Sequence, residues 1–199
     1  MLFPTATTHP AGTWTISSTE IVLEQITYSP TDTTQITGTF TPFLTAEVIP
    51  FDMTLKSVFS KGETVRLAAL ASIGGLMGHG LGFTGIGRFG AVAQFCWDEG
   101  CRSSVNLSTS AVMLGAPIFA NSAGAVWDLG GLTKLLLETE MIFPTGQDMG
   151  DYNGLAITPG VRWSRRAWAI DLSLLIPVTV DEADLPALPI LTGTYRFLD

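Results

Sequence analysis

The sequence predicts an all-β fold: one antiparallel up-and-down transmembrane β-barrel of about 12 strands, spanning residues 1–199 as a single domain. Three observations lead there. The composition is apolar and poor in charge, the runs between turns alternate apolar and polar side chains, and turn residues recur at hairpin spacing.

Hydrophobic residues make up 46% of the chain and charged residues 14%, against roughly 25% charged in a typical soluble domain. Mean hydropathy is +0.36. Yet no stretch reads as a spanning helix, which needs ~20 mostly apolar residues. The nearest, Leu67 to Phe83, is interrupted by five glycines and a histidine. A closed barrel is the remaining membrane solution, because lipid cannot satisfy free backbone groups. A formal net charge of −8 argues against a nucleic-acid partner, which requires a basic patch. The opening MLFPTATTHPAG holds no basic segment followed by an apolar core, so no signal peptide is visible.

Turns are read at SPTDTT (29–34), VIPFD (48–52), SKGE (60–63), GHGLG (78–82), DEGCRS (98–103) and GAPIFANSAG (115–124). More follow near Leu132–Thr133 and at FPTGQDMGDYNG (143–154), SRRA (164–167) and VDEADLPALP (180–189). From SKGE onward short turns alternate with mostly longer ones, the pattern of periplasmic turns and outer loops. Eleven strands are clear, the first running from about Thr13 to Tyr28. Bacterial single-chain barrels have even strand numbers, so a short or truncated first strand is expected before residue 13.

Parity carries the argument, since successive strand side chains point to opposite faces. In Thr64 to Gly78 the odd positions Val65, Leu67, Ala69, Ala71, Ile73 and Met77 are apolar, while Thr64, Arg66 and Ser72 share the other face. Phe89, Ala91, Ala93, Phe95 and Trp97 likewise oppose Arg88, Gln94 and Cys96. Trp168, Ile170, Leu172, Leu174 and Ile176 oppose Asp171 and Ser173. A soluble barrel would turn the apolar face inward. Here the polar face is rich in Gly, Ser, Thr and Ala, unlike the Lys- and Glu-dense exterior of soluble domains. Its charges, Arg66, Arg88, Asp128, Glu138, Glu140, Arg162, Asp171 and Arg196, are sparse and of both signs, as an ion-paired lumen requires.

Aromatics flank the periplasmic turns: Tyr28, Phe59, Trp97, Trp163, Trp168, Tyr195 and Phe197. Such rings concentrate at membrane interfaces and are expected to form a girdle. Leu132 to Phe143, LTKLLLETEMIF, is rich in helix formers but alternates as a strand, with Leu135, Leu137 and Met141 toward lipid and Lys134, Glu138 and Glu140 toward the lumen.

Short motifs carry a resemblance. Leu2-Phe3-Pro4-Thr5-Ala6 with Pro10-Ala11-Gly12, Tyr28-Ser29-Pro30-Thr31-Asp32, and Pro50-Phe51 with Lys56 are similar to segments of uncharacterised bacterial outer-membrane, porin-like β-barrel proteins. Thr194-Tyr195-Arg196-Phe197 resembles the aromatic C-terminal signal that hands barrel precursors to the outer-membrane assembly machinery. Ser29 stands where that group's hairpin glycine is usual, and Leu198 and Asp199 follow the final phenylalanine. The resemblance implies a bacterial outer-membrane location, with membrane lipid and the assembly machinery as partners, and no catalytic residue.

Cys96 and Cys101 flank a tight turn and can oxidise into a hairpin staple in the periplasm, contributing ~2–3 kcal/mol at most. With two histidines, neither near this pair in sequence, no metal or other cofactor is expected. Ser72 with His79 is the nearest approach to a hydrolytic pair, and Glu138 with Glu140 to paired carboxylates; loop solvation and salt bridging account for them more simply. Asp148, Asp151 and Asn153 miss the calcium-loop spacing. The expected function is therefore not enzymatic: a passive small-solute pore or a structural membrane element. The competing readings are a lipid-acting outer-membrane enzyme and a soluble β-barrel holding an apolar ligand.

Overall fold

The structure is a computed structural model and describes residues 5–20, 23–41, 48–78, 82–114, 116–144, 154–178 and 186–197. Twelve strands form it: β1 Trp14–Thr19, β2 Leu23–Thr31, β3 Thr34–Phe40, β4 Val48–Lys61, β5 Val65–Gly78 and β6 Gly82–Cys96. They continue as β7 Ser104–Leu114, β8 Ala116–Asp128, β9 Thr133–Pro144, β10 Gly154–Ser164, β11 Trp168–Pro177 and β12 Leu188–Phe197. Each pairs antiparallel with its sequence neighbours, and β1 pairs with β12 to close the barrel. Closure leaves no unpaired edge, the condition for crossing lipid with strands. The segment 133–143, helical by propensity, lies in strand β9 within this closed ladder.

The expected even strand number is met differently from the sequence reading. No strand precedes residue 13 among the described residues; instead the run 13–28 contains two strands, β1 and β2, joined through Glu20. Glu20 adopts φ 53°, a left-handed conformation that glycine or asparagine usually supplies, so no turn residue announced the reversal. In-register partners such as Trp14 with Tyr28 and Ile16 with Ile26 are separated by even intervals. The alternation therefore runs through the turn without a break in parity and disguises two strands as one.

Two expected turns are strand. VIPFD lies inside β4, Pro50 pairing with Leu76 across the ladder; residues 42–47 lie outside the described residues. GAPIFANSAG is nearly all β8, which leaves β7 through one residue, Leu114 pairing with Ala116. Its Ala, Gly and Ser residues are small because β8 presents Ala120, Ser122 and Gly124 to a crowded interior, not because the chain turns. The connections at 79–81, 145–153 and 179–185 lie outside the described residues.

Ile73 is 63% exposed, and Leu55, Phe89, Leu107, Leu137, Leu172 and Leu191 are also exposed on the outside of the barrel. Ala68, Leu70, Gln94, Asn106, Ser110, Thr158 and Asp171 are buried inside. Small residues bring the walls close. A Cβ built on Gly90 would lie 2.6 Å from the Thr109 carbonyl oxygen and 2.8 Å from Ser110 Cβ. Gly90→Ala must therefore push β6 from β7 and is expected to lower the unfolding free energy by about 1–3 kcal/mol, read as a reduced urea midpoint.

Candidate functional site: the barrel lumen

The lumenal wall is built from hydroxyls matched across strands. Ser17 and Thr194 are 3.1 Å apart, Thr19 and Thr192 3.0 Å, Thr27 and Thr37 3.0 Å. Gln94 donates to Ser104 Oγ at 3.1 Å. Cross-strand Thr and Ser pairs satisfy one another without charge, which suits a wall with little water behind it.

The charged residues named from the sequence are distributed along this wall rather than gathered into one network. Arg162 on β10 forks onto Asp171 on β11, its Nε donating to Oδ1 at 2.6 Å and Nη2 to Oδ2. Glu138, 2% exposed, adds negative charge beside Arg162. Glu140 lies within electrostatic range of Arg88. Asp128 sits at the rim and pairs with Arg102 at 3.6 Å. Arg66, Arg88 and Arg196 make no ion pair among the described residues.

Three features of the lumen were not named from sequence. The first is a polar chamber of about 370 Å³, lined by Thr27, Thr37, Thr39, Thr54, Gln25, Gln35, Asp52, Lys56, Arg88 and Arg162. Asp52, read from the sequence as part of a turn at 48–52, and Lys56 both stand on the lumenal face of β4. The second is a basic mouth at the end carrying the turns 62–64, 97–103, 129–132 and 165–167. A cavity of about 220 Å³ there is lined by Lys134, Arg162, Arg165, Arg166 and Arg196, beside Trp168.

The third is the N-terminal segment, which lies inside the barrel. Ala6 is 0% exposed and packs with Val58, Ala68, Leu70 and Val92. Lys56 Nζ donates to the Thr5 carbonyl at 3.3 Å and to that of Thr7. Burial, then the charges of Arg196 and Lys56, pulls His9 down to about 4, so its ring is neutral at neutral pH.

Outside, the aromatic residues cluster at the same end as the basic mouth. Trp14 stacks on Tyr28 with centroids 4.4 Å apart, and Tyr195 meets Phe197 edge-on at 5.1 Å. Trp97 lies 6.5 Å from Trp127. Phe59, Trp163 and Trp168 are exposed on this surface too, Phe59 at a register shift between Val58 and Ser60. Trp14 and Trp127 join the residues named from sequence.

Cys96 and Cys101 form a disulfide across a short 3-10 turn, Glu99–Cys101. In that turn Ser103 N–H donates to Asp98 Oδ1 at 3.0 Å, which holds the Asp98 carboxyl below its usual range. That contribution is present above the ordinary carboxylate pKa and is lost as pH falls through the lowered one. Ser72 is on the lumenal wall, whereas His79 and the 148–153 loop lie outside the described residues.

No family model and no curated protein matches the sequence. Solved structures do match in fold. The KdgM porin in complex with disordered oligogalacturonate superposes with a TM-score of 0.66 at 6% identity, covering 94% of this chain and 98% of that one. The KdgM porin in another structure gives 0.65 at 5% identity, with the same coverage. LpxR from Salmonella typhimurium gives 0.60 at 10% identity, covering 94% and 100%. The chain therefore shares its fold, a closed all-antiparallel barrel of twelve strands, with the KdgM porin.

Proposed function

We propose that the protein sits in a bacterial outer membrane and passes small polar solutes through a narrow, ion-paired lumen. The polar chamber enclosed by the barrel is the observation that carries this reading: hydroxyls, amides and a few charges line it, the surface a hydrated solute needs to replace its water contacts. The exposed apolar exterior would face acyl chains. The aromatic cluster containing Tyr28, Phe59, Trp97, Trp163, Trp168, Tyr195 and Phe197 would lie at the periplasmic interface. The C-terminal aromatic strand would serve as the signal to the assembly machinery.

The basic mouth gives the conduit a preference. Among the described residues, five cationic side chains line it, of which Asp171 neutralises Arg162. Small acidic solutes are therefore favoured over cations, in keeping with an acidic saccharide being the ligand named for the KdgM complex.

Reconstituted in liposomes, the protein should admit monosaccharide-sized solutes slowly and exclude larger ones. Under a KCl gradient the reversal potential should indicate anion preference. The double variant R165E and R166E should cut the anion-to-cation permeability ratio several-fold. Uptake no greater than in protein-free vesicles, at every solute size, would sink the proposal.

A further inference from the structure

Large apolar side chains on the lumenal face have no use in a water-filled pore, yet Val58, Leu70 and Val92 stand there. Ala6 covers them. Two polar anchors hold the same segment. Lys56 donates to the carbonyls of Thr5 and Thr7. Asp32, in the turn between β2 and β3, accepts the Thr8 hydroxyl on its carbonyl and the Ala11 N–H on Oδ1, the latter at 2.7 Å.

The segment also divides space. Thr7 and Thr8 line the chamber of about 370 Å³ on one side. The same two residues line a second cavity of about 320 Å³ on the other, toward Lys61 and Arg66. Without the segment these two cavities would face each other inside one wall.

We propose that residues 5–9 form a lumenal strap that closes the conduit, and that the conduit opens when the strap withdraws. The inference rests on the conduit reading above. Among the described residues, one alanine anchor and a few hydrogen bonds hold the strap, whereas the wall is a continuous closed ladder. Local release therefore precedes any opening of the barrel. Lys56 is the latch, because its ammonium has no carboxylate within ion-pair distance among the described residues and is satisfied by strap carbonyls instead. Pro10 to Thr13 stays behind as the hinge, with Gly12 N–H bonded to the Ser29 carbonyl at 2.8 Å and Gly12 at φ 82°.

The test compares single-channel currents in planar bilayers for the intact chain, a variant lacking residues 1–9, and a locked variant. The locked variant carries Ala6→Cys and Ala68→Cys with Cys96→Ser and Cys101→Ser, so that a new disulfide pins the strap to the wall. Each is first checked for the folded form by its gel mobility before and after heating. The shortened chain should conduct several-fold more than the intact one. The locked variant should be nearly silent until reductant restores its current. Equal currents from intact and shortened chains, or no response of the locked variant to reductant, overturn the strap while leaving the conduit reading intact. Silence from all three overturns the conduit reading itself, and the closure with it.

Discussion

Replacing Asp171 with alanine is expected to destabilise the barrel by about 3–5 kcal/mol, the usual cost of removing one partner from a buried ion pair. Asp171 is 3% exposed and receives the Arg162 guanidinium on both carboxylate oxygens. Without it, the buried Arg162 guanidinium loses its bidentate partner and keeps, among the described residues, Glu138 alone as a nearby counter-charge. The loss should be far larger than the pair's net worth. Arg162→Met combined with Asp171→Leu removes both charges at similar volume, although it also takes a cation from beside Glu138, and should cost less than Asp171→Ala alone. Urea unfolding in lipid vesicles measures all three proteins. If Asp171→Ala costs less than about 1 kcal/mol, the range of a surface pair, the lumen is wetter than its burial indicates. In that case the chamber would act as an ordinary water-filled pore rather than a dry, paired one.

The same pair shows what could be read from residues alone. Arg162 and Asp171 fall on the same face of adjacent strands, and a hairpin at 165–167 sets them opposite each other in register. Alternation and turn spacing suffice to derive that. Glu138 and Glu140 were legible in the same way, even in a segment whose propensity is helical, because tertiary pairing overrides propensity. Alternation reports a face, however, and not a neighbour. It could not show that Asp128 turns to Arg102, whose position in an irregular turn has no parity.

The strap was invisible for a different reason. Residues 5–13 carry no period, and nothing local says that a Thr-rich stretch enters a barrel. The signal was in its receptor. Val58, Leu70 and Val92 are buried on the lumenal face, the wrong face for apolar side chains in a hydrated channel. Those exceptions to a pattern that otherwise holds mark where something other than water is seated. The hairpin at Glu20 failed to register because its backbone conformation runs against residue preference, and such a turn leaves no trace in composition.

Ile73→Arg should separate a membrane barrel from a soluble one. Ile73 lies near the middle of β5, 63% exposed, among the outward side chains Ala71, Phe89 and Met53. On a water-soluble protein this is a surface position, and arginine there would change stability by no more than about 0.5 kcal/mol. In a bilayer the same guanidinium must enter the hydrocarbon or drag water and headgroups toward it, at about 2–4 kcal/mol for a barrel residue near the midplane. Glu63→Arg, in the exposed turn between β4 and β5, supplies the control, with an expected change inside the surface range. Reversible unfolding from vesicles yields both values, and the difference between them is the quantity of interest. Equal, small effects would mean that the apolar exterior does not meet lipid. A gap of about 2 kcal/mol or more would place β5 across the hydrocarbon, with its odd residues outward and its even residues facing the lumen.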